Sequence, residues 1–179
     1  MEAVVLGFTG PIGSGKSTVS KAIADVLGWP RASFGDYVRS VARERGLRQN
    51  RETLQTIGPE LINAGWGPFC EAVFSQAGWE RGSGIVVDGI RHIEAIETIR
   101  RMTVPLKFVL VFISIAEADR QSRLVRKGIK DKKEQLRIES HSTETHLSSL
   151  RSKADFIVDG TQSASELVDL IMRLLNSNS

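Results

Sequence analysis

The sequence predicts an α/β protein, a parallel sheet with helices packed on both faces in three layers. Three observations carry the prediction. Short apolar runs alternate from end to end with stretches whose apolar residues recur at helical spacing. The runs are continuous rather than alternating, as strands buried on both faces are. The composition, 179 residues with 41% hydrophobic and 25% charged, suits one well-filled core and excludes disordered and fibrous chains.

Taken in order, Val4-Val5-Leu6-Gly7-Phe8 is a first strand that runs into glycines. Val19, Ile23, Val26 and Leu27 give the next helix one apolar face, and Gly28-Trp29-Pro30 ends it. A weak second strand is expected near Ala32-Ser33-Phe34. From Asp36 to about Glu80 the pattern is helical, interrupted by Gly46, Gly58, Pro59, Gly65, Gly67 and Pro68. Ile85-Val86-Val87-Asp88 is another buried run, closed by an acid. Glu94 to Met102 reads as a helix, Leu106 to Ile115 as the strongest strand, and Ala116 to about Leu150 as charged helix. Asp155-Phe156-Ile157-Val158 is the last strand and Ala164 to Leu175 the last amphipathic helix, with Asn176 to Ser179 expected to fray. No internal repeat or low-complexity linker interrupts this order, so one domain over residues 1–179 is expected.

Charge and cysteine usage narrow the class. Lys and Arg number 24 against 21 Asp and Glu, a net charge of +3, too small for the concentrated basic face of a nucleic-acid binder. Cys70, the one cysteine, cannot form an internal disulfide, which fits a reducing cytosol. The N-terminus lacks a basic flank, and Gly7, Gly10 and Lys16 break its apolar stretch, unlike a signal peptide. No run reaches the roughly eighteen apolar residues of a membrane span. A cytoplasmic protein without membrane or nucleic-acid partners is expected; oligomeric state leaves no trace.

Gly10-Pro11-Ile12-Gly13-Ser14-Gly15-Lys16-Ser17 fits the Walker A pattern, Gly, four residues, then Gly-Lys-Ser. Such a loop wraps its backbone N–H groups around a phosphate chain, and the helix that follows aims its positive N-terminus at the anion. Gly10, Gly13 and Gly15 permit the curvature, with Ser14 between them. Lys16 is placed to reach the β- and γ-phosphates, Ser17 to ligate Mg²⁺, and Thr18 to touch the α-phosphate. The match lies between an apolar run and a helix, the context that separates it from a chance turn. ATP and Mg²⁺ are the expected cofactors. A nucleotide loop of this kind also needs an acid at the end of a neighbouring strand. Asp88 fills that place and, beside the loop, is expected to meet Mg²⁺ or its bound water, although an aspartate there could merely cap the next helix. Arg91 lies at the same mouth of the sheet.

These residues resemble known families. Thr9 to Val19 is similar to the opening of dephospho-CoA kinases, and Ala154-Asp155-Phe156-Ile157-Val158-Asp159 to their last strand and turn. Ser33-Phe34-Gly35-Asp36-Tyr37-Val38-Arg39 resembles the Ser-Thr-Gly-Asp-x-x-Arg segment of adenylate kinase and its nucleoside-monophosphate kinase relatives, and Asp88-Gly89-Ile90-Arg91 their Asp-Gly-Phe-Pro-Arg. Arg45 to Gly58, with Asn50-Arg51-Glu52-Thr53-Leu54-Gln55, looks like small archaeal and phage kinases of this group. The resemblance implies a five-stranded parallel sheet of order 2-3-1-4-5, an acceptor-binding helical insertion over residues 36–81 and a short lid over residues 117–133. It implies that Arg39 and Arg91 hold the acceptor's phosphate, that Asp88 organises Mg²⁺, and that Asp36 lies near the acceptor, as base if the acceptor is a sugar hydroxyl. It also implies adenine contacts from Asp159-Gly160-Thr161. The chain departs from both patterns: Phe34-Gly35-Asp36 keeps one acid of the dephospho-CoA kinase Asp-x-Asp, and Ile90 stands where adenylate kinases have proline.

Arg120, Arg123, Lys127 and Lys130 fall at spacings of three and four, on one helix face, with Arg126 nearby and Arg137 further on. A solvated basic face accounts for such a run by itself. By the resemblance, Arg123 and Arg126 are the lid arginines that stabilise the transferring group. His92, His141 and His146 form no metal-ligand cluster with cysteines or acids. Trp66, Phe69, Phe74 and Trp79 suit core packing better than a base-stacking pocket. The expected reaction is transfer of the ATP γ-phosphoryl group to a small phosphorylated acceptor, foremost a nucleoside or deoxynucleoside monophosphate. Dephospho-CoA is the alternative acceptor, and a nucleotide-dependent switch or nucleic-acid-associated NTPase the alternative of another class.

Overall fold

A computed structural model describes residues 2–126 and 143–177 of the chain. Five strands, β1 (Val4–Thr9), β2 (Arg31–Ser33), β3 (Ile85–Asp88), β4 (Lys107–Ser114) and β5 (Phe156–Asp159), form one sheet in the order β2-β3-β1-β4-β5. Every pairing is parallel, so each connection crosses over outside the sheet and carries helix. The helices are α1 (Lys16–Leu27), α2 (Phe34–Glu44), α3 (Arg51–Ala64), α4 (Trp66–Gln76), α5 (Ile93–Met102), α6 (Glu117–Arg126), α7 (Thr143–Ser152) and α8 (Ala164–Ser177). The expected sheet and its order are observed.

Side chains along a strand point alternately to the two faces, and the core divides accordingly. Val5, Ile85, Val87, Phe108 and Leu110 pack with Phe69, Phe74, Ala95, Ile96 and Ile99 beneath α4 and α5. Leu6, Phe8, Val86, Val109, Val111 and Ile113 pack with Val19, Ile23, Leu167 and Ile171 beneath α1 and α8. The aromatic cluster belongs to the first half: Phe69 and Phe74 are buried, and Trp66 and Trp79 pack against them. Cys70 is buried in the same half, where desolvation, and then the Glu71 charge, push its thiol up to about 12, so it has no nucleophilic character.

Two expectations change at element boundaries. Phe34 does not extend β2; it opens α2, because Ser33 caps that helix by accepting the Asp36 amide at 3.2 Å. Gly58 and Pro59 do not interrupt the helical region, since α3 runs through both. The carbonyl that loses its bond to the proline is that of Gln55, exposed like Pro59 itself, so water can satisfy it. Gly67 and Pro68 sit in the first turn of α4, where backbone N–H groups lack intrahelical acceptors and proline costs little. Gly46 and Gly65 do end helices, at positive φ of 67° and 120°.

Candidate active site

The site lies beyond the C-terminal ends of the parallel strands, the crevice that open α/β sheets use for ligands. The glycine loop runs directly from β1 into α1, and Gly15 at the helix start offers no side-chain cap. No side chain therefore competes with an anion at this helix start, although the Thr18 amide donates to the Gly15 carbonyl at 3.0 Å. Gly10 has φ 140°, and a Cβ there would lie 2.4 Å from the Ile113 carbonyl oxygen, so the loop folds against β4 only with glycine at this point. Lys16 is 8% exposed and its Nζ donates to the Pro11 carbonyl at 3.0 Å, which holds the ammonium against its own loop. Ser17 and Thr18 are exposed at the helix start, Ser14 is buried, and Gly13 is half-buried.

Across the mouth, register places Asp88 opposite Ser33. The turn after β3 is fastened to β1 by Thr9 Oγ1 donating to the Ile90 carbonyl at 2.7 Å and by the Ile90 amide donating to the Phe8 carbonyl at 3.2 Å. Asp88 is 2% exposed. Its Oδ2 accepts from Arg31 Nη2, while its Oδ1 is buried without a hydrogen-bond partner. An orphaned carboxylate oxygen in a phosphate-binding mouth, with the exposed Ser17 hydroxyl on the loop, is a donor set that fits Mg²⁺ and its bound water.

Asp36, in the first turn of α2, carries two ion pairs, with Arg31 at 3.0 Å and with Arg39 at 2.5 Å. Partial burial pushes its carboxyl up, but the hydrogen bonds from Arg39, Arg31 and Ser33 outweigh that and hold it below the ordinary carboxylate range. Arg91 keeps an exposed surface yet is crowded by surrounding protein, as a side chain on a cleft wall is. Desolvation and then the Arg51 cation lower it, and the Asp88 carboxylate opposes them. Arg91 stays charged at neutral pH regardless. Arg51, in the first turn of α3, was not singled out by sequence reasoning; nor was Arg31. Arg51 stands in the segment Asn50–Gln55 that resembles small kinases, but with no role assigned there, and Arg31 belongs to no motif; folding brings Arg51 within electrostatic reach of Arg91 and Arg31 onto Asp88.

The arginines that the resemblance assigns to a lid are placed differently. Arg123 lies on the loop, donating from Nη1 to the carbonyls of Gly13 at 3.5 Å and Ser14 at 3.2 Å, and from Nη2 to that of Gly160 at 2.6 Å. It ties α6 to the loop and to the turn after β5, and contact with a transferring phosphoryl group would require it to leave these carbonyls. Arg120 is 4% exposed and pairs with Glu117 at 2.7 Å. Arg126 is exposed at the end of α6, while Lys127, Lys130, Arg137 and His141 lie outside the described residues. Gly160 fits tightly: its amide donates to the Ser114 carbonyl at 2.7 Å, and a Cβ would meet the Ser14 carbonyl oxygen at 2.6 Å. His92 and His146 face each other at 5.1 Å, with Trp66 on His92 at 5.1 Å. Among the described residues no group of three or more His, Cys, Asp or Glu could hold a metal, and no helix is long and apolar enough to cross a membrane.

Comparison with known proteins gives this geometry a family. A family model described as an AAA domain matches residues 9–145. The chain is 35% identical over 127 residues to a UPF0200 protein of Methanothrix thermoacetophila, covering 71% of this chain and 68% of that one. It is 30% identical over 176 residues to a UPF0200 protein of Pyrobaculum aerophilum, covering 96% of each. A shorter stretch of 44 residues is 48% identical to a cytidylate kinase of Haloarcula marismortui, covering 25% of this chain and 23% of that one. In fold it is similar to shikimate kinase from Aquifex aeolicus, with a TM-score of 0.65 at 22% identity over 98% of both chains. With its Walker A loop between β1 and α1, the chain belongs to the AAA domain family of P-loop proteins and, within it, stands with the archaeal UPF0200 proteins.

Proposed function

We propose that the protein is an ATP-dependent phosphotransferase that moves the γ-phosphoryl group to a small phosphorylated acceptor, foremost a nucleoside or deoxynucleoside monophosphate. The observation that supports this reading is that cations accompany both acids near the loop: Asp36 pairs with Arg39, and Arg91 lies within electrostatic reach of Asp88 and of Arg51. A switch or simple NTPase needs the loop and the acid; a second set of arginines on a cleft wall suits a second phosphate. The local likeness to cytidylate kinase points the same way.

Phosphoryl transfer asks mainly for position and charge compensation. Lys16 and the loop amides hold the donor phosphates, while Arg39, Arg51 and Arg91 hold the acceptor's phosphate against them. Ser17 and Asp88 would hold Mg²⁺, which would supply further charge neutralisation. Asp36, clamped by two arginines, presents Arg39 rather than serving as a base, which suits an acceptor whose phosphate oxygen needs no deprotonation. Arg123 braces the glycine loop against the Gly160 turn, which lies toward the adenine, and Arg126 is left as the lid cation on the described part of α6.

The test is ATP consumption with Mg²⁺ against a panel of ribo- and deoxyribonucleoside monophosphates plus dephospho-CoA. One monophosphate should stimulate turnover, and Lys16→Ala should reduce it by roughly a hundredfold or more, as loss of one anion-stabilising donor does. Stimulation by dephospho-CoA alone would move the acceptor to a hydroxyl. Turnover that no small acceptor raises would replace the kinase with a partner-dependent NTPase.

A further inference from the structure

Arg31 opens β2 and belongs to no motif, yet its guanidinium contacts three elements. Nη2 donates to Asp88 Oδ2 on β3, Nη1 to Asp36 Oδ2 on α2 at 3.0 Å, and Nε to Ser20 Oγ on α1 at 3.0 Å. The line continues at both ends. Ser20 Oγ donates to the Ser17 carbonyl at 3.2 Å, and Asp36 Oδ1 accepts from Arg39 Nη2 at 2.5 Å. Hydrogen bonds thus run unbroken from Ser17, beside the donor phosphates, to Arg39, beside the acceptor. The two ends differ in burial. The side chain of Asp88 is 3% exposed and is hydrogen-bonded to Arg31, with Arg91 as a more distant cation, whereas those of Asp36 and Arg39 are 49% and 46% exposed and can exchange partners. A planar fork sets the separation of two carboxylates in a way that a flexible ammonium cannot.

We propose that Arg31 is a positioning residue which, on the kinase reading above, fixes the spacing between the donor-side acid Asp88 and the acceptor-side pair Asp36–Arg39, and so directs the phosphoryl group to the acceptor rather than to water. In transfer, an acceptor phosphate oxygen bonds to the γ-phosphorus as the bond to the β–γ bridging oxygen breaks, and ADP leaves with that electron pair. In hydrolysis a water oxygen takes the acceptor's place, one of its protons staying on the phosphate and one passing to solvent. A held acceptor displaced by about 1 Å loses on the order of a hundredfold in rate. Water is mobile and abundant and depends far less on the spacing. Loss of Arg31 therefore costs transfer more than hydrolysis.

The experiment compares wild type, Arg31→Met and Arg31→Lys with Mg²⁺ and ATP, using as acceptor probe whichever of CMP, AMP, UMP or dTMP the wild type phosphorylates fastest. The readout is the ratio of nucleoside diphosphate formed from the probe to inorganic phosphate released. The ratio should fall by about tenfold or more in Arg31→Met and be partly restored in Arg31→Lys, which returns the charge without the fork. A second readout needs no activity: thermal unfolding without metal or nucleotide. Arg31→Met should lower the midpoint by leaving the buried Asp88 without its hydrogen-bonded cation, and Asp88→Asn added to it should recover much of the loss. Transfer and hydrolysis falling in equal proportion, lysine rescuing no better than methionine, or no recovery with Asp88→Asn would each overturn the proposal. A wild type that phosphorylates no acceptor would overturn the kinase reading and this proposal with it, and that result is seen before any variant is made.

Discussion

Asp36 separates the two classes of acceptor by its chemistry. A general base contributes on the order of 10²–10⁴-fold to rate, but a carboxyl held low by two guanidinium groups has little affinity for a proton. Asp36→Asn should therefore cost turnover less than about tenfold, well short of that range, and appear mainly as a raised KM for the acceptor because Arg39 loses its anchor. Steady-state kinetics decides it, and a fall of a thousandfold in kcat would assign Asp36 as base. Gly160 makes a steric prediction. An added methyl would sit 2.6 Å from the Ser14 carbonyl oxygen and 2.8 Å from that of Ser114, both backbone. Gly160→Ala should destabilise the fold by about 1–3 kcal/mol in denaturant unfolding, as overpacking does, and should raise the KM for ATP by disturbing the loop. The glycine loop stood out by its spacing and Asp88 by its place at the end of an apolar run, whereas Asp36, Arg39 and Arg91 were picked out by resemblance to a family. Arg31 was not: its partners lie 5, 11 and 57 residues away, and no local pattern marks an arginine that folding will place between two acids.

Elements show the same division. The strands were readable because runs buried on both faces are continuously apolar, and Ile85–Asp88 was located to the residue. The helical region after β2 was readable as helix but not in its breaks, because Pro59 sits where a lost hydrogen bond faces water. The packing of α7 on α5's entry was not readable at all. It brings His146 onto His92, which Trp66 of α4 covers from the other side. Burial, then His146, and then Arg91 lower His92, against the pull of Glu94. Its folded value lies below the unfolded value near 6.5, so the unfolded chain takes up the proton first. The stability held above about pH 6.5 is lost as pH falls through the lower, folded value. The thermal midpoint should drop between about pH 7 and pH 5, and His92→Phe should flatten that drop. An unchanged slope in His92→Phe would assign the pH dependence to other groups.

For the whole molecule, the sheet order β2-β3-β1-β4-β5 puts the ends of β1, β2 and β3 side by side, so that the glycine loop after β1, Asp36 after β2 and Asp88 at the end of β3 come to the same end of the sheet. Sequence alternation predicts a parallel sheet, but strand order follows from how crossovers pack, and here it came from likeness to a family rather than from periodicity. The proposed function is then a chemical claim: the bond formed joins the donor's γ-phosphorus to an oxygen of the acceptor's phosphate. Phosphorus NMR of a reaction containing the protein, Mg²⁺, ATP and the stimulating acceptor tests this directly. The account predicts loss of the acceptor's monophosphate resonance and growth of a coupled pair from a new phosphoanhydride, at the expense of ATP. A new uncoupled phosphomonoester resonance, or inorganic phosphate alone with every acceptor, would contradict it.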